Sequence, residues 1–417
     1  MRRQNARILS NNVLDGESQL PAHISSRFPT GSAAQPRALY VSGAPRLSTK
    51  ATTESLGPRS HILGVIHAFE SMGIDIDRFI VGDTVPDSLH AAGSEKRMGS
   101  SRARVAAADA ARLMYRSKSR RSLARAAASR PYAFVYERYA LMQELGSVVR
   151  DRRTPWVLEV NALLAIEATT ERKATTSHRL AAAFEKRTLE SADLIVAVTD
   201  QLADAVATEY GIARSKILTI ENGVDTTCRA PSANSAQAAP TLGFLGSLYS
   251  WQRLDELLDA MTAPKNTDWR LRVAGTGPEY SALKAQVERL GLAERVEFLG
   301  RVHPDDVSDF LATVDLCYAG HGSSQGVYFS PLKLWEYLAA GRPVLASAHE
   351  TTLRLESEGF AVRCFASKND LAGALTASSM ERSSTLELAQ SRQQEVWAKY
   401  SWKARVAPLV ARLGADA

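Results

Sequence analysis

Residues Ser330 to Val344, SPLKLWEYLAAGRPV, constrain this chain more tightly than any other stretch. Serine followed by proline starts a helix, because the hydroxyl caps free amides and proline at the first helical position loses no hydrogen bond. Gly341 stands where a left-handed residue would end that helix, and Pro343 blocks its continuation. The spacing predicts a helix of about ten residues, roughly 15 Å long. A strand, Pro343-Val344-Leu345-Ala346-Ser347, follows at once. Upstream, Gly322-Ser323-Ser324-Gln325-Gly326 is too rich in glycine and serine for regular structure.

This order places bare backbone amides and the positive end of a helix dipole at the mouth of a loop, which attracts phosphate. Lys333 lies in the first turn, where a cation opposes the dipole unless an anion is present. Glu336, three residues on, shares its face. A carboxylate one turn deeper than a phosphate can accept hydrogen bonds from two vicinal ribose hydroxyls. Leu332, Trp335, Leu338 and Ala339 form the expected buried side. The plain alternative is a capped amphipathic helix with a surface lysine and glutamate.

With 417 residues the chain can form two or three domains with substantial cores. Its 45% apolar and 23% charged residues are ordinary for a globular protein. The net charge of +6 is modest but uneven: Lys96–Arg130 holds eleven basic residues against one acid, Asp109. That segment, with alanines and leucines at helical spacing, reads as a solvated helical face or as a contact for anionic lipid or a pyrophosphate-linked acceptor. Aromatic interleaving is nearly absent, which argues against nucleic acid. Cys228, Cys317 and Cys364 lie far apart without a C-x-x-C, as expected of reduced thiols, the last two in apolar runs. Met1-Arg2-Arg3 is not followed by an apolar core, and no run reaches about 18 apolar residues. A cytoplasmic protein is expected, with peripheral contact at the inner membrane surface as its one link to lipid.

Strand and helix signals alternate twice along the chain. Residues 1–35 show no sustained period and read as a disordered or loosely attached tail. A first domain, 36–228, opens with Ala38–Ser42, a helical pattern at Ile62, Val65, Ile66, Phe69 and Met72, and then Phe79–Val81. Asp75-Ile76-Asp77 is placed in the turn before that strand, where solvated carboxylates are common. Tyr132–Tyr136, Trp156–Asn161, Asp193–Val198 and Ile217–Ile220 are further strands. Residues 229–240, RAPSANSAQAAP, are the linker. A second domain, 241–398, repeats the alternation with strands at Thr241–Gly246, Trp269–Ala274, Val296–Gly300 and Val314–Tyr318. A terminal helix, 399–417, closes the chain. Ala274-Gly275-Thr276-Gly277-Pro278 lacks the third glycine of a dinucleotide fingerprint and lies inside the second domain, so it is not read as a nicotinamide site. In doubly wound parallel sheets, ligand groups gather beyond the C-terminal strand ends. Arg138, Glu159 and Asn161 occupy such positions; the alternative is that they merely begin loops.

The Ser330–Val344 run resembles the signature segment of retaining GT-B glycosyltransferases of family 4 (glycosyl transferases group 1), in the branch reading S-P-L-K-L-x-E-Y-x-A-A-G-x-P-V. Glu221-Asn222-Gly223-Val224-Asp225 carries a second family mark, x-N-G-V-D. The similarity covers roughly residues 130–405 well and the first hundred loosely. It implies an α/β GT-B fold: two facing Rossmann-like doubly wound parallel-sheet domains with a cleft between them. A nucleoside-diphosphate sugar would sit on the second domain and the acceptor on the first. The terminal helix would cross back to the first domain. The reaction implied is transfer of a sugar to an acceptor hydroxyl with retention, in polysaccharide or glycoconjugate synthesis.

Residue by residue, the resemblance gives Glu336 the nucleotide ribose. The first glutamate of the family's usual pair falls at Tyr328, the histidine near the reacting sugar at Asn161, and the diphosphate-clamping arginine and lysine at Ser247 and Gln252. Lys333 and Arg253, with the helix amides, are left to neutralise the diphosphate. The expected catalytic group is therefore Asn161, Arg138, Glu159 and Lys333. Glu336, Ser330, Leu332, Gly246, Ser247, Gln252, Arg253, Gly277, Asn222 and Val302 line the donor side, and Gly43 and Arg59 the acceptor side. No metal or cofactor is called for, the nucleotide sugar being a substrate. The acceptor is left open among a glycan, a lipid-linked sugar and a small molecule. The rival readings are a catalytically degenerate nucleotide-sugar-binding protein and a sugar-nucleotide epimerase on the same fold.

Overall fold

The computed structural model describes residues 35–50, 56–85, 102–151, 153–170, 175–225, 239–322 and 332–414. The expected tail up to residue 34, linker residues 229–238, Cys228, Tyr328 and the Ser330-Pro331 helix start lie outside the described residues.

The first half forms β1 (Arg37–Ser42), α1 (Leu56–Ser71), β2 (Asp75–Ile80), α2 (Arg102–Ala127), β3 (Val135–Arg138), β4 (Trp156–Val160), α3 (Leu164–Thr170), α4 (His178–Ser191), β5 (Leu194–Ala197), α5 (Asp200–Tyr210) and β6 (Ile217–Thr219). The second forms β7 (Thr241–Leu245), α6 (Leu254–Ala260), β8 (Arg270–Ala274), α7 (Tyr280–Arg289), β9 (Val296–Gly300), α8 (Val307–Ala312), β10 (Leu316–Ala319), α9 (Leu332–Ala339), β11 (Val344–Ser347), α10 (Glu350–Ser357), β12 (Val362–Phe365), α11 (Lys368–Met380), α12 (Arg382–Tyr400) and α13 (Trp402–Arg412).

The strands make two six-stranded sheets, ordered β2-β1-β3-β4-β5-β6 and β12-β11-β10-β7-β8-β9. All the sheet pairings are parallel. Parallel strands need crossovers, so helices cover both faces, and inner strands such as β5, β7, β10 and β11 are apolar almost throughout. One face of the first sheet packs Val41, Trp156, Leu158 and Ile195 beneath α4 and α5, the other Tyr40, Phe134 and Val157 beneath α1 and α13. The second sheet repeats this arrangement around Phe244, Leu271 and Leu345 on one face, and Cys317, Trp335 and Val344 on the other. In both sheets the strand order reverses beside the first strand, at β1/β3 and at β7/β10, where loops diverge and leave a crevice.

Two expectations shift. Asp75-Ile76-Asp77 opens β2, in register with Arg37, Ala38 and Leu39, instead of lying in the preceding turn. Asp77 is held there by Arg130 at 2.8 Å and Tyr132 at 2.9 Å. In the basic segment, Arg112 pairs with Asp109, and Arg116 and Arg120 converge on Glu144. Arg116 and Arg120 fix α2 to its domain and Arg112 pairs within the helix, while Lys118, Arg121 and Arg125 remain on its outer face with Met114 and Tyr115. Cys317 is buried and Cys364 only partly so.

The halves are tied at two chain crossings that lie side by side. Val224, leaving the first domain, bridges in parallel to Ser401, where α12 passes into α13. α13 then lays Trp402, Val406, Leu409 and Leu413 on the α1 side of the first sheet. Gly64 makes this approach possible: a Cβ there would sit 2.1 Å from Trp402 Nε1. Gly64→Ala should therefore force the terminal helix off its seat at a cost of about 2 kcal/mol. An unchanged midpoint in chemical denaturation would show that α13 is not held at this contact.

Burial pushes the Glu185 carboxyl up to about 7, with Glu167 adding to the shift, against hydrogen bonds from Ala165 N, Tyr210 and Leu164 N. The unfolded value is near 4.5, so between these limits the folded state holds more proton. The stability it contributes is full below pH 4.5 and lost as pH rises through about 7. Glu185→Gln cannot ionise, so its melting temperature should gain on the wild type between pH 5 and 8. A gap that stays constant over that range would refute the raised carboxyl.

Candidate active site

At the C-terminal edge of the first sheet, β3 and β4 run side by side, with Arg138 opposite Glu159. Glu159 is fully buried and gathers four polar groups. Tyr136 Oη and Arg138 Nη1 each donate to it over 2.6 Å, Asn161 Nδ2 donates as well, and His61 Nε2 lies 2.8 Å away. Arg138 Nη1 also donates to Asn161 Oδ1 at 3.0 Å. Burial disfavours the charge on Glu159, yet the His61 ring and the Arg138 guanidinium hold its carboxyl well below the usual carboxylate range. The other ring nitrogen of His61 lies 2.7 Å from Asn222 Oδ1, and Trp402 packs edge-on against the ring at 4.9 Å. The three residues read from strand ends, Arg138, Glu159 and Asn161, thus form one connected group.

At the facing edge of the second sheet, the loops after β7 and β8 lie backbone against backbone. A Cβ on Gly277 would meet Leu248 N at 2.5 Å, and Leu248 N donates to Thr276 O at 3.0 Å. Gly246, at φ +142°, opens beside the start of α9, where Lys333 Nζ lies over the Phe244 ring at 4.1 Å and donates to Gln252 Oε1 at 2.6 Å. Half-burial pushes the Lys333 ammonium down to about 7, with Glu336 pulling the other way. The Glu336 carboxyl is pushed up by burial and by Asp225, and held back by Lys333.

Arg253 does not share a partner with Lys333. It donates to Glu256 at 2.5 Å and lies over the Phe365 ring at 5.2 Å, on the β10–β12 side. Its φ of 52° is left-handed in a residue that carries a Cβ, a strain of about 1 kcal/mol. His321, in the loop after β10, donates its backbone N–H to Ser347 Oγ and packs edge-on to His349 at 5.6 Å. Burial, His349, Lys333 and Arg253 together push His321 down to about 4. Lys333, Arg253 and His349 thus gather around a buried His321 whose protonation they oppose, and a place so rich in basic groups at the mouth of a parallel sheet suits an anion.

Several expected residues lie elsewhere. Leu332 is off the buried face of α9, which consists of Leu334, Trp335, Tyr337, Leu338 and Ala339. It packs instead on the first-domain core, with Gly57 at the start of α1 beside it. Asn222, placed on the donor side by its motif, is buried in the first-domain group through His61. Gly43 is buried, with the direction of its missing Cβ filled by Gln143, and Arg59 donates to Thr49 O at 2.9 Å. These two shape the loop after β1. Val302 is partly buried against the second-domain core that holds Phe310 and Leu334, and Ser247 is exposed. Ser330 lies outside the described residues. His61 and His321 were not singled out from sequence. His61 stands four residues before Val65 on the apolar stripe of α1, and a polar residue on that stripe was the available signal.

The start of α1 and the start of α9 meet at Gly57 and Leu332, so the two crevices open toward each other. Residues 57–223 match the family model described as glycosyl transferase 4-like domain, and residues 239–378 match glycosyl transferases group 1. The chain is 28% identical over 182 residues to a putative teichuronic acid biosynthesis glycosyltransferase, TuaH, of Bacillus subtilis (strain 168), covering 41% of this chain and 44% of that one. It is 28% identical over 234 residues to D-inositol 3-phosphate glycosyltransferase of Mycobacterium sp. (strain KMS), covering 52% of each. The chain thus spans about half the length of the curated relatives it matches. Among solved structures, sucrose-phosphate synthase from Thermosynechococcus elongatus superposes with a TM-score of 0.65 at 18% identity, covering 91% of this chain and 98% of that one. Anabaena Alr3699/HepE in complex with UDP gives 0.61 at 17%, covering 92% and 100%. At such identities the likeness is one of fold, two facing Rossmann-like domains in the GT-B arrangement. Matched by one family model in each half and folded as two doubly wound parallel sheets, the chain belongs to the GT-B glycosyltransferases.

Proposed function

We propose that this chain is a retaining family 4 enzyme that moves a sugar from a nucleoside-diphosphate sugar to an acceptor hydroxyl, in polysaccharide or glycoconjugate synthesis. The observation that carries the reading is Lys333 beneath the Gly246 loop, with Glu336 one turn further along α9. A relative named for teichuronic acid biosynthesis and a fold neighbour solved with UDP-glucose support the same direction. UDP-glucose is accordingly the first donor to test, within a panel of uridine, guanosine, thymidine and adenosine sugars.

In this mechanism the bond between the anomeric carbon and the diphosphate oxygen breaks, and the acceptor oxygen attacks the same face. The acceptor proton passes to the departing phosphate oxygen, so no strong protein base is needed. Lys333 and the amides of the Gly246 loop stabilise the charge that develops on the diphosphate. Glu336 holds the ribose. Arg138 and Asn161, fixed by Glu159 and His61, face the reacting sugar from the first domain. Closure about the linker excludes water from the donor. The outer face of α2, with Lys118, Arg121 and Arg125, is the surface proposed to meet anionic lipid.

One observation favours a binder without turnover: Gln252 occupies a position where relatives are expected to carry a cation, and it already engages Lys333. Transfer or donor hydrolysis by purified protein decides between the readings.

Lys333→Ala should weaken nucleoside diphosphate binding on the order of 10- to 100-fold, the loss of one charge-assisted contact. Unchanged affinity by calorimetry would remove Lys333 from the donor site. Because free Lys333 titrates near 7 and a bound diphosphate favours its ammonium, affinity should decline as pH rises above about 7. Subtracting the Lys333→Ala profile removes the nucleotide's own titration, and a residual slope of zero would contradict this coupling. Arg138→Ala, on the opposite domain, should cut turnover about 100-fold while leaving nucleotide affinity intact. Equal losses in both quantities would place Arg138 on the donor instead.

A further inference from the structure

The loop between β7 and α6 presents an aromatic pair that the donor reading does not use. Tyr249 and Trp251 stack with ring centroids 4.1 Å apart and planes 8° from parallel. Tyr249 is partly buried and covers one face of the indole, while Trp251 remains 44% exposed. Solvating a large apolar ring is unfavourable, and a monomeric fold does not require it here.

The backbone beneath the ring is held from every side. Leu248 is locked to Thr276, and Gln252 N donates to Tyr249 O at 3.0 Å. Gly322 N donates to Trp251 O at 2.7 Å, and Tyr318 Oη to Arg253 O at 2.9 Å. Arg253 itself is kept in the left-handed region. A strained residue and four hydrogen bonds thus fix a turn that presents an indole face to solvent. Strain that its surroundings enforce points to a task at that spot.

The position identifies the ligand class. Trp251 precedes Gln252, the partner of Lys333, so it adjoins the proposed diphosphate end of the donor and not the ribose end at Glu336. Its tie to Gly322 puts it on the β10 side of β7, away from β8 and β9. In the proposed reaction the donor's own sugar lies beside the diphosphate and the acceptor approaches it from the open side, so an exposed ring at this place meets the acceptor. The π face of an indole carries partial negative charge that attracts the polarised C–H bonds on one face of a pyranose ring, while the ring's hydroxyls stay in water.

The geometry points to Trp251, backed by Tyr249, as a platform for a pyranose ring of the acceptor, which makes the acceptor a sugar-bearing molecule. The inference rests on the glycosyltransferase reading for its orientation, but its test is separate. Full-chain protein would be titrated with methyl α- and β-glycosides of glucose, galactose, mannose and N-acetylglucosamine under saturation-transfer NMR, and independently with UDP. At least one glycoside should bind the wild type, with transfer strongest to its ring C–H protons. Trp251→Ala should weaken that glycoside about tenfold, Trp251→Phe should stay within about threefold of wild type, and UDP affinity should be equal in all three. Equal glycoside affinity in Trp251→Ala overturns the platform. So does a parallel loss of UDP affinity, or failure of every glycoside to bind the wild type. If UDP fails to bind while the glycoside pattern holds, the donor reading falls and the platform stands.

Discussion

A single carboxylate at the exit of the first domain holds the two halves in register. Glu221 accepts from Arg405 Nη2 at 2.7 Å and Arg354 Nη2 at 3.2 Å through one oxygen, and from Thr351 Oγ1 at 2.9 Å through the other. Arg354 and Thr351 belong to α10 of the second domain, and Arg405 to α13, which packs on the first. Arg405 also lies over the Trp335 ring at 4.9 Å, beside the residue proposed to hold the ribose. Both guanidinium groups lose solvation here, and burial pulls the Arg405 charge down while Glu221 supports it. The orientation of α9 against the first domain therefore depends on a charge network at the point where the chain crosses.

That arrangement gives the cleft two chemically different walls. The first-domain wall is a closed polar group in which every side chain has a fixed partner. Glu159 keeps its charge despite burial because His61 and Arg138 supply it with donors, and it orients Asn161 and Arg138 in turn. The second-domain wall is crowded with basic groups, Lys333, His321, His349 and Arg253, among which the two histidines are held neutral by burial and by their cationic neighbours. A preorganised polar wall facing an electrostatically unsatisfied one suits a reaction in which negative charge appears on one side only.

The second-domain wall keeps a cation beside the Gly246 loop even where neighbouring positions have none. Positions 247 and 252 carry no charge, but Lys333 remains, seated over Phe244 and steered by Gln252. Arg253, next in sequence to Gln252, turns instead toward Glu256 and Phe365, where it shapes the Trp251 turn. Adjacency in sequence did not give Arg253 the partner that Gln252 engages: from a left-handed backbone its guanidinium meets Glu256 and the Phe365 ring.

Local signals determined a great deal. Alternating apolar runs and punctuating glycines and prolines were enough for two parallel α/β halves, and Gly341 takes the left-handed φ of 64° that its place after the helix demanded. The grouping of Arg138, Glu159 and Asn161 followed from strand-end position, since parallel strands in register bring their C-terminal residues to one edge. Partners distant in sequence were settled by tertiary structure alone. His61 meets Glu159 and Asn222 across 98 and 161 residues, and Leu332 leaves the face its periodicity assigned and packs on the first-domain core. Periodicity reports which residues avoid water, while the identity of their neighbours depends on how the two sheets are brought face to face. That is fixed by Glu221, the Val224–Ser401 crossing and the seat of α13 on α1.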